Sequence, residues 1–462
     1  MNRQNIDFEK FKNNIFYKDG KNEKTWEEAF IVVKLLTEYF NHNQFKEGDV
    51  VAINTNKDFH TYCAILACYI YGITFSPIRF QEINKSISID KEININCFLS
   101  SSKSNFKKST YIFDLLNEKK TNKLYKLEEN QNSIAYILHS SGSTGKPKII
   151  PISYKNLHSY INSVKEITTF DLGMTFAQTV ELTFDLSIHD MFLCFHHGGS
   201  LVPLSTSIAK FAPRFINSLQ VNNLMMVPSF LSAMEAVDIT LDSVKNVFFC
   251  GEALSRKIAK QSLSLFPKAS IFNFYGPTEA TVAVSYFKLD INSIGDESIV
   301  PIGSSFSSTV FKLSDEGELL IGGEQVFNGY LGNIEKNPFT IINDCKYYKS
   351  GDICSFEEDN YKFKSRIDYQ VKFRGYRIEL EGVEALLNNK FKASFAAIGN
   401  NEISSNNYAN IVIFYDNKNL IIEEIKNFLP KHLNGAVLKY IENIPRNTSG
   451  KIDRHYLKKV IS

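Results

Sequence analysis

Apolar and polar residues follow two periods along most of this chain, one typical of helices and one of buried strands. Residues 26–40 carry apolar side chains at helical spacing, and the apolar run Val50–Ile53 then predicts a strand. Residues 60–70 predict a second apolar helix, which Gly72 ends before another short strand. Further strands, each followed by a helix, are predicted at Met225–Pro228 and Val247–Gly251, and a strand followed by a loop is predicted at Ile271–Gly276. This alternation predicts an α/β fold with mostly parallel strands.

The pattern changes twice towards the C-terminus. Between residues 300 and 365 short segments are separated by glycine turns, which indicates a small β-rich subdomain. Residues 370–462 read as an α+β unit of about 90 residues, a size that can fold alone. We therefore predict a large N-terminal domain of α/β subdomains, residues 1–367, and a small α+β C-terminal domain, residues 368–462.

Composition excludes several classes of protein. The 462 residues include 52 basic and 50 acidic side chains, a net charge of +2, so no basic field for nucleic acid is expected. Seven scattered cysteines without a C-x-x-C pair argue against a disulfide framework or a zinc site. No apolar stretch approaches the roughly 18 residues that a membrane helix needs. We expect a cytoplasmic protein without nucleic-acid or membrane partners.

Residues 138–148 bring hydroxyls, glycines and two lysines together directly after the predicted strand Ile134–Leu138. Backbone N–H groups and cations at the end of a strand can hold a polyphosphate. The loop is not a Walker A motif, because Ser140 and Pro147 stand where that motif needs Gly and Ser or Thr. Taken alone, the loop can also be a surface turn.

A second polar stretch, Asn273–Glu279, follows a predicted strand and therefore lies in the usual ligand crevice of an open α/β sheet. Tyr275 could stack on a purine and Asn273 could hydrogen-bond the edge of the base. Glu279 could hold the Mg²⁺ that accompanies ATP phosphates. The alternative is a rigid turn with Thr278 as a capping residue.

Three more stretches carry charge at turns. Asp352 follows a glycine turn and could accept hydrogen bonds from two ribose hydroxyls, although such a residue is common in ordinary turns. Four cationic residues lie between Arg366 and Arg377, which by default indicates a solvated face. Lys451 follows Gly450 in a polar turn near the C-terminus, where a lone lysine is usually a solvated charge.

In combination and in this order, these stretches resemble the adenylate-forming superfamily of acyl-CoA synthetases, luciferases and amino-acid adenylation domains. The segments that carry the resemblance are Ser141–Lys148, Gly251–Leu254, Tyr275–Glu279, Gly351–Asp352, Arg366–Asp368 and Pro445–Lys451. Six separate motifs in register cover nearly the whole chain, so the resemblance is more specific than any single motif.

The resemblance implies ATP and Mg²⁺ as cofactors, with Lys451, Glu279 and Thr278 as catalytic residues and Glu279 at the metal. It implies a C-terminal lid domain that carries Lys451 and swings about a hinge at Asp368. The nucleotide-binding residues implied by the resemblance are Ser140, Ser141, Ser143, Thr144, Lys146, Asn273, Phe274, Tyr275, Gly276, Pro277, Thr278, Asp352, Arg366 and Lys451.

Thr183–Ser187 resembles the amino-acid-activating pattern, in which the Asp side chain faces the substrate. A buried carboxylate needs a cation, and a substrate ammonium would supply it, so Asp185 favours an α-amino acid over an acyl or aryl acid. The alternative is that Asp185 is a strand-end cap or a turn residue. The stretches around Cys250 and Val282 are similar to the D-alanine:carrier-protein ligases. The substrate residues implied are Asp185, His189, Phe248, Cys250 and Val282, and the bulky Phe248 and Phe274 indicate a small amino acid.

The predicted activity is formation of an aminoacyl-AMP from a small amino acid and ATP, followed by transfer to a phosphopantetheine thiol. Because the chain ends eleven residues after Lys451, we expect the carrier to be a separate protein. Two alternatives remain open: an acyl- or aryl-CoA synthetase of the same fold, and an inactive binding homologue. A P-loop phosphotransferase is excluded by the loop spacing.

Overall fold

Strands and helices follow one another as the sequence pattern predicts. The structure is a computed structural model, which describes residues 6–79, 93–102, 109–112, 114–115, 123–140, 148–204, 206–235, 239–290, 299–332, 337–367, 370–373, 376–400, 410–430, 433–446 and 452–461. The helices are α1 (Phe8–Phe11), α2 (Trp26–His42), α3 (Phe59–Tyr71), α4 (Tyr154–Ile167), α5 (Leu186–His197), α6 (Ala212–Ser218), α7 (Pro228–Ser232), α8 (Arg256–Leu265), α9 (Leu380–Phe391), α10 (Ile422–Phe428) and α11 (Arg454–Lys459).

The first fifteen strands belong to two large sheets. They are β1 (Ile15–Lys18), β2 (Glu23–Thr25), β3 (Val50–Asn54), β4 (Thr74–Ile78), β5 (Ile95–Ser100), β6 (Ser109–Tyr111), β7 (Ile134–Ser140), β8 (Lys148–Ser153), β9 (Thr175–Gln178), β10 (Ser200–Pro203), β11 (Asn223–Met226), β12 (Asn246–Phe249), β13 (Ser270–Tyr275), β14 (Ser285–Leu289) and β15 (Ser304–Ser305).

Ten further strands form three smaller sheets. They are β16 (Thr309–Leu313), β17 (Glu318–Gly323), β18 (Phe339–Ile342), β19 (Cys345–Glu357), β20 (Asn360–Arg366), β21 (Gln370–Phe373), β22 (Tyr376–Glu379), β23 (Phe395–Asn400), β24 (Asn410–Tyr415) and β25 (Val437–Tyr440). Short 3-10 helices lie at Thr206–Phe211 and Thr278–Ala280.

The chain divides into two compact units. The larger unit contains Met1–Leu138, Ile149–Ser350 and Cys354–Phe363, and the smaller unit contains His139–Lys148, Gly351–Ile353 and Lys364–Ser462. The predicted fold class, with a large α/β part, a small β-rich part and a small α+β part, is confirmed by this arrangement of sheets and helices. The predicted functional boundary at residues 367 and 368 stays a prediction, because residue 368 lies outside the described residues.

The nine-stranded sheet positions most of the candidate site. Its order is β15-β14-β13-β12-β11-β9-β10-β1-β2, and the neighbours from β13 to β1 are all parallel. The carboxyl ends of β9, β11, β12 and β13 therefore meet at one edge of the sheet. Helix α5 packs against β9, β10 and β11 with every residue from Leu186 to Phe195 buried, as expected of a helix covered on all sides.

The six-stranded sheet has the order β6-β5-β3-β4-β7-β8, with parallel pairing from β6 to β7. Helix α3 packs on β3 and β4, and every residue of α3 except His60 is buried. Gly72 ends α3 in the left-handed conformation with φ of +102°, which confirms the predicted C-cap. Helix α2 begins with a capping box between Thr25 and Glu28.

The β-rich part is a five-stranded sheet in which β16, β17, β19 and β18 lie in order and β20 pairs with β19. In the smaller unit, β21 and β22 form a hairpin, and β23, β24 and β25 form a sheet that α9 and α11 cover. A buried ion pair joins the two covering helices, since Arg454 Nη2 donates to Glu384 Oε1 at 2.7 Å. Across the described part of the chain, the structure contains no helix with the length and apolar character to cross a membrane.

Candidate functional site

The stretch after β13 is held against the backbone that follows it. Strand β13 pairs with β12 in parallel and with β14 in antiparallel orientation, so Tyr275 and Gly276 leave the carboxyl end of a central strand. A Cβ atom at Gly276 would lie 2.5 Å from the Cα of Ala283, so only glycine allows this close approach of two backbones. The Tyr275 side chain is buried at 7% exposure, and Pro277 leads into the 3-10 helix at Thr278–Ala280.

Glu279 places a carboxylate in the protein interior. Its side chain is fully buried, and its Oε1 accepts a hydrogen bond from the hydroxyl of Tyr330 at 2.7 Å. No cluster of three or more His, Cys, Asp or Glu side chains that could hold a metal occurs among the described residues. Mg²⁺ that arrives with a nucleotide usually takes one or two carboxylates together with phosphate oxygens. The single carboxylate of Glu279 fits such an ion.

Asn273 has a different environment from the one the sequence suggested. Its Nδ2 group donates to the carbonyl oxygen of Pro301 at 2.8 Å and lies 3.5 Å from that of Val300. The side-chain donors are therefore used to tie β13 to the chain that enters β15. A hydrogen bond between Asn273 and the edge of a base stays a prediction. A buried N–H that moved to a ligand would leave the Pro301 carbonyl unsatisfied.

Asp185 lies where β9 is followed by α5. It occupies the N-cap position of α5 with αR backbone angles, and its side chain makes no capping hydrogen bond. The residue is only 7% exposed. Two buried tyrosines on other elements, Tyr136 and Tyr160, have pKa values well above the usual range because of burial, and the negative charge of Asp185 adds to both shifts.

His189, one turn further along α5, belongs to a buried aromatic group. Its Nδ1 lies 2.6 Å from the hydroxyl of Tyr160, and its ring meets Phe248 edge to face with centroids 4.5 Å apart. The rings of Phe248 and Phe274 are 5.0 Å apart. Burial lowers the pKa of His189 to about 3, and its Nε2 has no hydrogen-bond partner among the described residues. Phe274, assigned above to the nucleotide, thus packs with the predicted amino-acid pocket.

Cys250 and Val282, the other two predicted substrate residues, lie next to each other. The Sγ atom of Cys250 lies 3.9 Å from the carbonyl oxygen of Val282, within reach of a weak S–H hydrogen bond. A Cβ at the next residue, Gly251, would lie 3.6 Å from the side chain of Leu186, which adjoins Asp185. The structure therefore brings all five predicted substrate residues to one edge of the nine-stranded sheet.

Asp352 and Arg366 belong to the smaller unit and form an ion pair. Nη1 of Arg366 donates to Oδ1 of Asp352 at 2.5 Å, and both side chains are largely buried. The backbone supports the pair, because the N–H of Ile367 donates to the carbonyl of Gly351 at 2.8 Å. A guanidinium that donates to a carboxylate in this way fixes the orientation of the carboxylate.

Several predicted site residues lie outside the described residues. They are Ser141, Ser143, Thr144 and Lys146 of the phosphate loop, the hinge residue Asp368 and the catalytic Lys451. Ser140 ends β7, but its side chain also lies outside what the structure describes. Their roles stay predictions.

Sequence reasoning missed a buried lysine below the loop that leads to Asp185. Nζ of Lys57 lies 3.3 and 3.4 Å from the carbonyl oxygens of Gln178 and Leu204, and burial lowers the pKa of this lysine to about 8. Nε2 of Gln178 in turn donates to the buried carboxylate of Asp190 at 2.8 Å. Lys57 therefore holds the start of the loop, and Asp190 holds the helix after it. No local signal could have shown this, because Lys57 follows a strand of the other sheet.

Comparisons with known proteins agree with this geometry. A family model described as "AMP-binding enzyme" matches residues 5–331. The D-alanine--D-alanyl carrier protein ligase of Staphylococcus epidermidis is 30% identical over 358 residues, 72% of each chain. Its Staphylococcus aureus counterpart (strain bovine RF122) is 31% identical over 350 residues, again 72% of each chain.

A solved structure gives a match of fold over the full length. The crystal structure of the Vibrio cholerae adenylation domain AlmE, in complex with glycyl-adenosine-5'-phosphate, has a TM-score of 0.84 and 24% sequence identity. The match covers 100% of this chain and 98% of that chain.

Proposed function

The chain belongs to the AMP-binding enzyme family, and from that membership we propose that it is a ligase that activates a small amino acid for a carrier protein. In the first half-reaction, the amino acid carboxylate attacks the α-phosphorus of ATP, so that aminoacyl-AMP forms and pyrophosphate leaves. In the second, the phosphopantetheine thiol of a separate carrier protein attacks the acyl carbon, so that a thioester forms and AMP leaves. The similarity to D-alanine--D-alanyl carrier protein ligases supports both steps.

The observation that carries the amino-acid part of the proposal is the buried carboxylate of Asp185. It is only 7% exposed and lies at the start of α5, one turn before His189 and its aromatic group. A buried carboxylate is stable as an anion only with a cationic or hydrogen-bonding partner. The ammonium of an α-amino acid is the cation that this position would attract. An acyl or aryl acid would gain nothing from it.

The size of the pocket supports a small side chain, such as that of D-alanine. Phe248, Phe274 and Cys250 are at most 2% exposed, and ring centroid distances of 4.5 to 6.1 Å join His189 to the two phenylalanines. Close-packed aromatic rings leave little room for additional methylene groups.

The nucleotide part rests on the loop after β13 and on motifs elsewhere in the chain. In the proposal, Tyr275, Gly276, Pro277 and Thr278 bind the adenine and α-phosphate side, and Asp352 and Arg366 bind the ribose side. Ser140 and the 141–147 loop hold the outer phosphates. Glu279 would hold Mg²⁺, which neutralises charge on the phosphate oxygens when it is bound with ATP.

Lys451 is proposed as the catalytic cation. Its ammonium would bridge the attacking carboxylate and the α-phosphate, which brings the two anions together and stabilises the charge of the transition state. In the proposal the C-terminal domain then moves about Asp368, as in other hinge closures, so that Lys451 leaves and the thiol enters.

Amino-acid-dependent pyrophosphate exchange, screened over both enantiomers of the common amino acids, tests the proposal. We expect exchange with one or a few small amino acids, and a loss of at least 100-fold in Lys451→Ala. Near-normal exchange in that variant would refute the role of Lys451. Activation of carboxylic acids without an amino group would favour the acyl-CoA synthetase alternative. Absence of exchange with every acid, in a protein that still binds ATP, would favour an inactive homologue.

A further inference from the structure

Two consecutive residues directly after the Glu279 turn have an unusual backbone conformation. Thr281 and Val282 have φ of +62° and +67°, in the left-handed region that favours glycine. Both are β-branched, and such residues are genuine outliers at positive φ. Strained backbone of this kind persists only where the surrounding structure holds it in place.

The side chain of Gln325, which follows β17, supplies that hold. Its Nε2 lies 2.6 Å from the carbonyl oxygen of Ala283, and 3.3 and 3.4 Å from those of Ala280 and Thr281. Its Oε1 accepts from the hydroxyl of Ser308 at 2.7 Å. Three carbonyls can only accept hydrogen bonds, so the amide nitrogen must face them and the orientation of this amide is determined.

The backbone of Gln325 is bonded to the same turn. The hydroxyl of Thr281 donates to the carbonyl oxygen of Gln325 at 2.7 Å, and Gln325 is completely buried. One glutamine therefore satisfies the polar groups on both sides of the left-handed pair. An apolar residue of the same size would leave at least one buried carbonyl without a donor, which is costly.

This turn forms one wall of the predicted amino-acid pocket. The carbonyl oxygen of Val282 lies 3.9 Å from Sγ of Cys250, and Val282 itself is fully buried. Tyr275, on the predicted nucleotide site, is held by contacts that do not involve Gln325. It pairs with Ser285 in the β13–β14 ladder, and its backbone carbonyl accepts a hydrogen bond from the N–H of Val284 at 2.7 Å. A displaced turn would thus disturb the amino-acid pocket more than the nucleotide site.

We propose that Gln325 is a positioning residue, which holds Thr281 and Val282 in the left-handed conformation and so determines which amino acid side chains the pocket accepts. The amino acid substrate in this inference rests on the proposed function, whereas the hold of Gln325 on Thr281 and Val282 does not depend on it. Gln325 touches the wall of the pocket and acts through Val282.

The principal test is Gln325→Glu, which keeps the size of the side chain and replaces its N–H donors with a carboxylate that the three carbonyls repel. Gln261→Glu makes the same change at an exposed position of α8 and serves as the control. Pyrophosphate exchange gives KM for ATP and kcat/KM for glycine, D-alanine and D-valine.

In Gln325→Glu we expect KM for the preferred amino acid to rise at least tenfold and its preference over D-valine to fall at least fivefold. KM for ATP should change less than threefold, and Gln261→Glu should leave all values within twofold. A folded Gln325→Glu protein with an unchanged preference overturns the proposal, even if its melting temperature falls. If this variant does not fold, Ser308→Ala removes the hydroxyl that donates to Oε1 of Gln325 and that also lies 2.7 Å from the hydroxyl of Ser163. It should then shift the preference two- to threefold in the same direction, and no shift overturns the proposal.

Hydrogen exchange separates this inference from the proposed function. If the wild-type protein activates no amino acid, the proposed function fails, but the amide of Ala283 remains measurable in the unliganded chain. If Gln325 holds the turn, this amide exchanges at least tenfold faster in Gln325→Glu, or severalfold faster in Ser308→Ala. Equal exchange rates in variant and wild type overturn it.

Discussion

Polar side chains follow β3 and β5 of the six-stranded sheet and the parallel strands of the nine-stranded sheet, and of these two groups only the second has the features of a site among the described residues. At the ends of β3 and β5 in the six-stranded sheet, the polar side chains bond to one another. Asn56 donates to the hydroxyls of Ser101 and Ser102 at 2.9 Å, and Ser101 donates to Asp58 at 2.5 Å. Asp58 also caps α3 through the N–H of Thr61. This network is closed.

The carboxyl end of the nine-stranded sheet differs in three respects. A carboxylate is buried at Asp185, a fully buried imidazole nitrogen of His189 has no partner among the described residues, and the backbone is left-handed at Thr281 and Val282. Polar residues at strand ends are thus not sufficient to identify a site. Incomplete pairing and strain held in place by neighbours are the better indications.

The largest expected effect comes from Glu279→Gln, which removes the only charge of the buried carboxylate and keeps its shape. We expect pyrophosphate exchange to fall by about 100-fold or more, because one preorganised electrostatic contact is lost. Asp58→Asn makes the same change in the closed network and should keep exchange within twofold. If both variants lose activity equally, the distinction between the two sheet ends is wrong.

Asp185→Asn tests the ammonium partner directly. Loss of the carboxylate leaves a buried substrate ammonium without its counter-charge, so KM for the amino acid should rise about 100-fold while KM for ATP is unchanged. The control is Asp242→Asn, at an exposed carboxylate 2.6 Å from Nζ of Lys268. An unchanged KM for the amino acid in Asp185→Asn would remove the argument for an amino acid substrate.

The pH dependence of stability should depend on His189. Burial lowers the pKa of His189 to about 3, below the ordinary 6.5, so the folded state keeps the ring neutral while the unfolded chain takes up a proton. Its contribution is therefore complete above pH 6.5 and is lost as the pH falls towards 3.

Between pH 7 and pH 5 this loss amounts to about 2 kcal/mol for one fully buried ring. In urea unfolding, the free energy of unfolding of His189→Asn should fall by about 2 kcal/mol less between pH 7 and pH 5 than that of the wild type. His42→Asn changes an exposed residue at the end of α2 and should show the same fall as the wild type. Parallel curves for His189→Asn and wild type would contradict the assignment of His189 as a neutral buried ring.

The smallest effect is expected in the closed network. Ser101→Ala removes one hydroxyl donor from Asp58 and should lower the free energy of unfolding by about 1–2 kcal/mol without changing pyrophosphate exchange. Ser264→Ala, at an exposed position of α8, should change the stability by less than about 0.5 kcal/mol. A large loss of exchange in Ser101→Ala would indicate that the loops after β3 and β5 also contribute to a ligand site.

Local signals were sufficient for much of the fold. The apolar run before Gly72 predicted α3, because helical spacing and a C-terminal glycine act within a few residues. The stretch after β13 was recognised as a strand end for the same reason. The partner of Asn273 could not be predicted, because Pro301 lies 28 residues further along the chain and no local pattern reveals it.

The sequence by itself determined the alternation of strands and helices, the order of the motifs and the chemical groups available for a nucleotide and an amino acid. These depend on periodicity and on residue type. Only the tertiary structure decided which groups meet: Tyr330 on Glu279, Lys57 below the Asp185 loop, and Gln325 on the left-handed pair. Each of these contacts joins residues more than 40 positions apart in the chain, and chain folding alone sets their distance.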